Sequence, residues 1–282
     1  MTFVTKVAII LFSFGMPPSL VINLEHRKDR LAQFHNNVTQ HKITFVQDLT
    51  RIEAVYDQKD GNVGCLKSYQ KALQYAYEKK WPEFIIFEDD ATLDDTSQAK
   101  WDKVYKELPE TADLLVASAS YVDRDTVRVF SPHLLHIVQF TGSHFILYRR
   151  HAVGRILAAV NQKLRDLEHS VDKENDEIRK LDLPYDHILT IVCPKKYVAC
   201  PFVGYVMEQD GSNIRSKQQS VNDLTEYILP TEQMLERQYA RWRDCTTRSR
   251  YRHNVEKFVQ SYNKRHWLLT PTQKPPEVSS YN

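Results

Sequence analysis

Glycine is scarce, with seven residues in a chain of 282. That rules out collagen-like and glycine-rich linker architectures. Neither G-x-G-x-x-G nor G-x-x-x-x-G-K-[ST] occurs, so the two commonest glycine-built phosphate cradles are absent. Cysteine is equally thin. Cys65, Cys193, Cys200 and Cys245 are spread too widely for a disulfide framework and lack the C-x-x-C spacing of a zinc site. All four are read as reduced thiols. The apolar run Val7 to Phe14 falls far short of the roughly 20 residues that span a bilayer. No small-x-small cleavage site follows it before Val21, so residues 1–19 are read as a first strand or an ordered arm rather than a signal peptide. Neither sign of charge dominates: 38 Lys and Arg face 36 Asp and Glu, for a net +2. So even a balance argues against a dedicated nucleic-acid binder.

What is present is a globular composition. Hydrophobic residues make up 42% of the chain and aromatics 11%, enough for a substantial core. Leu20 to Leu24 reads as a strand, and Leu31, Phe34 and Val38 then recur at helical spacing. Ile43 to Val46 reads as a second strand. Asp60-Gly61-Asn62 signals a turn, after which Leu66, Tyr69, Leu73, Ala76 and Tyr77 mark a helix face that stops before Trp81-Pro82. Phe84 to Phe87 is continuously apolar, as expected of a strand buried on both faces of a parallel sheet. A helix over Ser97 to Leu108 and a strand at Leu114 to Val116 continue the alternation of an α/β domain. Strand-like Val127 to Phe130, Leu134 to Phe140 and His144 to Tyr148 follow. A helical pattern then runs from Val153 to Leu167, a charged stretch from Glu168 to Lys180, and a late strand over Tyr197 to Val203. Thr231 to Tyr262 is helical and basic, and the polar, proline-rich tail from Thr270 reads as disordered.

Three segments carry chemistry. Glu88-Asp89-Asp90 directly follows the buried strand, and open α/β sheets bind ligands outside the carboxyl ends of their strands. Hard oxygen donors there suit Mg²⁺ or Mn²⁺ and, with the ion, a substrate diphosphate. Glu88 and Asp90 alternate with Asp89, so an extended chain turns both to one side. The alternative is an acidic loop capping the next helix. Asn23-Leu24-x-x-Arg27-x-x-Arg30 places two arginines after the first strand, suited to phosphate oxygens or a base edge, or to surface ion pairs. Gly61-Asn62-x-Gly64-Cys65-x-x-Ser68 opens a helix, where glycine allows close approach to an anion or simply forms a helix-start turn.

In this order and spacing, the three segments resemble glycosyltransferase family 25, which includes lipopolysaccharide glycosyltransferases, collagen hydroxylysine galactosyltransferases and related enzymes of large DNA viruses. Thr141-Gly142-Ser143-His144-Phe145-Ile146-Leu147 looks like the family's Gly-x-x-x-Tyr segment, Leu183-Pro184-Tyr185-Asp186 like its Leu-Pro-Val-Asp, and Ser212-Asn213-Ile214 like its Ser-x-Ile. The chain departs from the family in having Tyr69-Gln70 where a His is usual, and in an apparent insertion from Arg165 to Lys180.

The resemblance implies a GT-A-like α/β fold, a Rossmann-like, mainly parallel central sheet flanked by helices in a single domain. On this reading residues 20–216 form the catalytic domain, 217–269 a helical segment packed on it, and 270–282 the disordered tail. It also implies a nucleotide-sugar donor, Mn²⁺ or Mg²⁺, and inversion at the anomeric carbon. The donor is then expected to be UDP-linked galactose, glucose or xylose, and the acceptor a glycan or glycoprotein. Asn23, Leu24, Arg27, Arg30, Gly64, Ser68, Glu88 and Asp89 are the expected donor contacts, and Glu88 and Asp90 the metal ligands. Asp186, at a helix start after a proline, is the first candidate for the general base, with a helix-capping role as its alternative. Glu208 and Asp210 are further candidates for base or ligand. His144 and His187 read as polar pocket or surface residues rather than ligands. The basic-aromatic run from Arg237 to His253 reads as a solvated helix face, ahead of a docking face for anionic membrane or glycoprotein. The expected location is cytoplasmic, host cytoplasm for a viral enzyme, ahead of the secretory lumen. The competing reading of the whole chain is a catalytically inactive nucleotide-sugar or glycan-binding relative of the same fold.

Overall fold

The computed structural model describes residues 16–122, 127–169 and 184–206. Residues 1–15, Glu208, Asp210, the Ser212 segment and the basic helix with its tail lie outside the described residues, as does most of the charged stretch after Glu168.

Eight strands form one sheet in the order β2-β1-β3-β10-β5-β11-β8-β7. They are β1 (Pro18–Asn23), β2 (Gln47–Glu53), β3 (Glu83–Glu88), β5 (Leu114–Ser118), β7 (Arg128–Ser131), β8 (Leu134–Ile137), β10 (Phe145–Arg149) and β11 (Lys196–Ala199). Short β4 (Ala91–Thr92) pairs with β12 (Tyr205–Val206), and β6 (Tyr121–Val122) with β9 (Phe140–Thr141). Six of the eight sheet strands run the same way, and β10 and β8 oppose them. The expected α/β class holds, with a mainly parallel sheet between helices. The antiparallel insertion of β10 between β3 and β5 is what the alternating pattern did not show.

Successive residues of a strand point to opposite faces, and the sheet uses both. Leu20, Ile22, Phe84, Ile86, Ile146 and Tyr148 face α2 (Gly61–Glu78), α4 (Arg150–His169) and α5 (Tyr185–Val192). Val21, Ile85, Phe87, Phe145 and Leu147 face α1 (Lys28–Gln40) and α3 (Ser97–Glu107). The result is three layers with a core on each side. On the α1/α3 side an aromatic stack fills the space: Trp101 lies 4.7 Å from Phe45 and 5.5 Å from Phe145, ring centre to ring centre.

Two boundaries differ from the sequence reading. The second strand is Gln47–Glu53, and Ile43 and Phe45 are buried in the connection before it. As an edge strand, β2 has one neighbour and fully buries only Ile52, so its polar composition concealed it. The stretch Leu134 to Phe140 divides into β8 and β9, which join different sheets. The turn signal at Asp60 proves to be a helix cap: its carboxylate accepts the Asn62 N–H at 2.8 Å, satisfying a donor the helix start leaves open. Cys65, Cys193 and Cys200 are unbridged.

Candidate active site

Because β10 runs against its neighbours, the segment before it reaches the same sheet edge as the segments after β1, β3 and β5. The candidate site is built from those ends. Glu88 closes β3 with Asp89 and Asp90 behind it, His144 precedes β10, and Asp186 opens α5.

The alternation of carboxylates holds. Glu88 and Asp90 turn to His144, whose Nδ1 lies 3.1 Å from Glu88 Oε2 and 3.6 Å from Asp90 Oδ1. Ligand-capable atoms of these three side chains all lie within 4.8 Å of one another. Asp89 turns instead to β1, where it accepts from Asn23 Nδ2 at 2.7 Å and pairs with Arg30 at 3.4 Å. Asn23 is a junction. It also donates to the Arg27 carbonyl at 2.8 Å and accepts from Arg51 Nε at 3.0 Å, tying the ends of β1, β2 and β3 together.

Charge is concentrated here and mostly out of water. Burial alone would lower His144, but the Glu88 charge and the contacts with Asp90 and Glu88 push it up to about 10, so the ring is an imidazolium at neutral pH. Burial works to raise Asp90, yet the His144 and Arg30 cations beside it hold it below its ordinary value. Burial raises Asp89, with Asn23 and Arg30 opposing. Three carboxylates against Arg30 and the His144 imidazolium leave one negative charge in excess, which favours a cation at the site. Asp90 Oδ1 and Arg30 Nε are buried without a hydrogen-bond partner among the described residues. A buried carboxylate oxygen with no donor is costly unless something fills the position. Glu88, Asp90 and His144 together offer a donor set that could hold a metal ion.

Tyr69 anchors this arrangement from α2. Its hydroxyl lies 2.7 Å from Glu88 Oε1 and 2.8 Å from the Ser143 carbonyl. Burial, reinforced by the Glu88 charge, raises its pKa well above the ordinary value, so it remains a donor. Its ring stacks on Tyr185 at 3.8 Å, next to Asp186. The Asp186 carboxylate accepts the Gly142 N–H at 2.8 Å and the His187 N–H at 2.9 Å. Burial raises Asp186 above its usual value, these backbone bonds and His187 oppose the rise, and the Glu88 charge adds to it.

The remaining expected contacts are placed as follows. The Leu24 carbonyl accepts the Arg27 N–H at 2.9 Å in the turn that starts α1. Arg27 pairs with Asp29 at 2.9 Å and is partly exposed. Ser68 is buried, donating to the Gly64 carbonyl at 2.7 Å and accepting the Val55 N–H at 2.8 Å. A Cβ on Gly64 would stand 2.7 Å from the Val55 carbonyl, so the close approach this glycine allows is that of the protein's own loop. The sequence reading missed Ser120, whose Oγ lies 2.8 Å from His144 Nε2, and the anchoring role of Tyr69. Ser120 stands two residues beyond β5 at the sheet edge, and that place was the one signal that could have found it. Tyr69 was disguised by its position within an apolar helix face.

Comparison with known proteins agrees with the motif reading. The family model described as glycosyltransferase family 25 (LPS biosynthesis protein) matches residues 49–144. That span holds α2, the Glu88–Asp90 carboxylates and His144, and it supports a glycosyltransferase. No curated protein matches the chain. Among solved structures, the crystal structure of mannose-1-phosphate geranyltransferase from Thermus thermophilus matches with 9% identity over 65% of this chain and 73% of that one. Its TM-score is 0.34, too loose a likeness to argue from.

Proposed function

We propose that the protein is an inverting, metal-dependent glycosyltransferase that moves galactose, glucose or xylose from a UDP-linked donor to a glycan or glycoprotein. The observation that carries this is the convergence of Glu88, Asp90 and His144 at the sheet edge, inside the segment that resembles the family. Glu88 and Asp90, with His144 beside them, would hold Mn²⁺ or Mg²⁺. When bound, the ion supplies positive charge against the leaving diphosphate. Arg30 is held at 14% side-chain exposure against two carboxylates and Arg27 lies partly exposed one turn before it, and we assign both to the donor. Asn23, Leu24 and Asp89 shape that side, and Gly64 and Ser68 fix the loop beside it. Asp186 takes the acceptor hydroxyl's proton. Its raised pKa makes it a stronger base than a surface aspartate, and general-base catalysis needs just that match. Among the described residues no helix is long and apolar enough to cross a membrane. We place the enzyme in the cytoplasm, acting on soluble or peripherally presented acceptors.

Asp90→Ala tests the reading. Asp90 follows the strand and is no part of its apolar core, so the variant should fold. It is expected to abolish Mn²⁺-dependent UDP binding, measured by calorimetry. Unchanged Mn²⁺-dependent affinity would sink the metal assignment. Metal-dependent hydrolysis of UDP-sugars by the parent protein separates an enzyme from a binding relative that retains the fold without turnover.

A further inference from the structure

We propose that His144 is a metal ligand through Nδ1 and that Ser120 is the residue that aims it. This rests on the metal-dependent reading above and goes beyond it in assigning the third ligand, its tautomer and the group that sets both.

With no ion bound the His144 ring carries a proton on each nitrogen; an ion held by Glu88 and Asp90 would displace the Nδ1 proton to solvent, and the hydrogen bond that keeps the proton on Nε2 makes Nδ1 the nitrogen that ligates. Here the two nitrogens face different partners. Nδ1 points to the Glu88 and Asp90 oxygens at 3.1 and 3.6 Å, and Nε2 points to Ser120 Oγ at 2.8 Å. A hydroxyl that accepts from Nε2–H keeps the proton there and leaves Nδ1, once its own proton is displaced, directed at the space shared with the two carboxylates.

Ser120 is placed to do this without freedom to drift. It is 4% exposed, and its N–H donates to the Thr141 carbonyl at 2.8 Å. That bond joins the chain leaving β5 to the loop that carries His144. Gly142 then makes room for the contact. Its φ is +82°, a conformation side chains disfavour. A Cβ built there would lie 2.5 Å from Ser120 Oγ and 2.6 Å from His144 Nε2. The missing side chain at 142 is therefore what lets the serine and the histidine meet. Three independent features, the ring orientation, the backbone tie and the glycine gap, serve one hydrogen bond.

The experiment is Mn²⁺ binding to the full-length protein without nucleotide, read by electron paramagnetic resonance titration and by spin-echo envelope modulation. Nitrogen-14 coupling to bound Mn²⁺ is expected in the parent and in Ser120→Thr, which keeps the hydroxyl, and is expected to vanish in His144→Ala. Loss of a partner that orients a metal-bound histidine typically costs about 10–100-fold in metal affinity, and Ser120→Ala should weaken Mn²⁺ by that much while Ser120→Thr stays near the parent. Mn²⁺ bound without nitrogen coupling, or bound equally tightly by Ser120→Ala, overturns the proposal and leaves the carboxylate site standing. A parent protein that binds no Mn²⁺ overturns the metal-dependent reading itself. Should Ser120→Ala fail to fold, Ser120→Cys fills the same space with a poor acceptor and is held to the same loss of affinity.

Discussion

Gly142 shows how much one residue can be asked to do. Its φ of +82° disfavours any side chain, a Cβ would strike Ser120 and His144, and its N–H holds Asp186. Strain of this kind costs on the order of 1–3 kcal/mol before any clash is added. Gly142→Ala should therefore lower stability by about 2 kcal/mol or more in urea unfolding and weaken Mn²⁺ as well. A variant as stable as the parent would contradict that strain. Asp186→Asn should lower kcat by about 10²–10⁴-fold, with Mn²⁺ and donor affinity close to the parent. Loss of donor affinity instead would make Asp186 a residue that only holds the loop. The sequence made the carboxylates legible because an apolar strand delivers Glu88–Asp90 to a sheet edge. It could not reveal His144 as their partner. A single histidine carries no mark of which ring nitrogen faces which neighbour, and Ser120 looks like any serine after a strand.

At the scale of elements, legibility followed burial. β3 is apolar from Phe84 to Phe87 because neighbours on both edges and helices on both faces enclose it, and it stands where the sequence put it. β2 is polar because it has one neighbour, whereas the sequence reading places the strand at Ile43 to Val46, where Ile43 and Phe45 are apolar because they join the buried cluster around Trp101. Strand direction left no trace in composition, so the sequence reading gave β10 no direction. The junction of α3 with the β7–β8 turn offers a test of a single contact. Burial works to raise Glu107, but hydrogen bonds from Ser131 and His133 hold its carboxyl below the ordinary value of 4.5. A carboxylate depressed in the folded state adds stability in full above its unfolded pKa and loses it as pH falls through the folded one. Glu107→Gln should thus be less stable than the parent by about 1 kcal/mol at pH 7. The gap should close as pH drops below about 4.5 and through the lower folded-state value, followed by chemical denaturation at each pH. A gap that stays constant over that range would show that Glu107 acts by packing alone.

At the scale of the molecule, two cores on opposite faces of one sheet hold the edge where the site is assembled, and the site as a whole draws on both sides. Tyr69 and Asp186 come from the α2/α5 side, Arg30 from α1 on the other, and the sheet carries the rest. The order of the strands also sets a timetable. β3 is complete at residue 88, but the strand that covers its open edge, β10, begins at 145, after β5 has already formed. At a synthesis rate of roughly 5–20 residues per second, the nascent chain waits several seconds with an apolar edge uncapped. During that interval the three carboxylates have Arg30 beside them and no histidine. A chain released before residue 144 would carry the carboxylates that motif reading finds, lack the group that completes them, and present Phe84 to Phe87 as a bare edge on which other chains can stack.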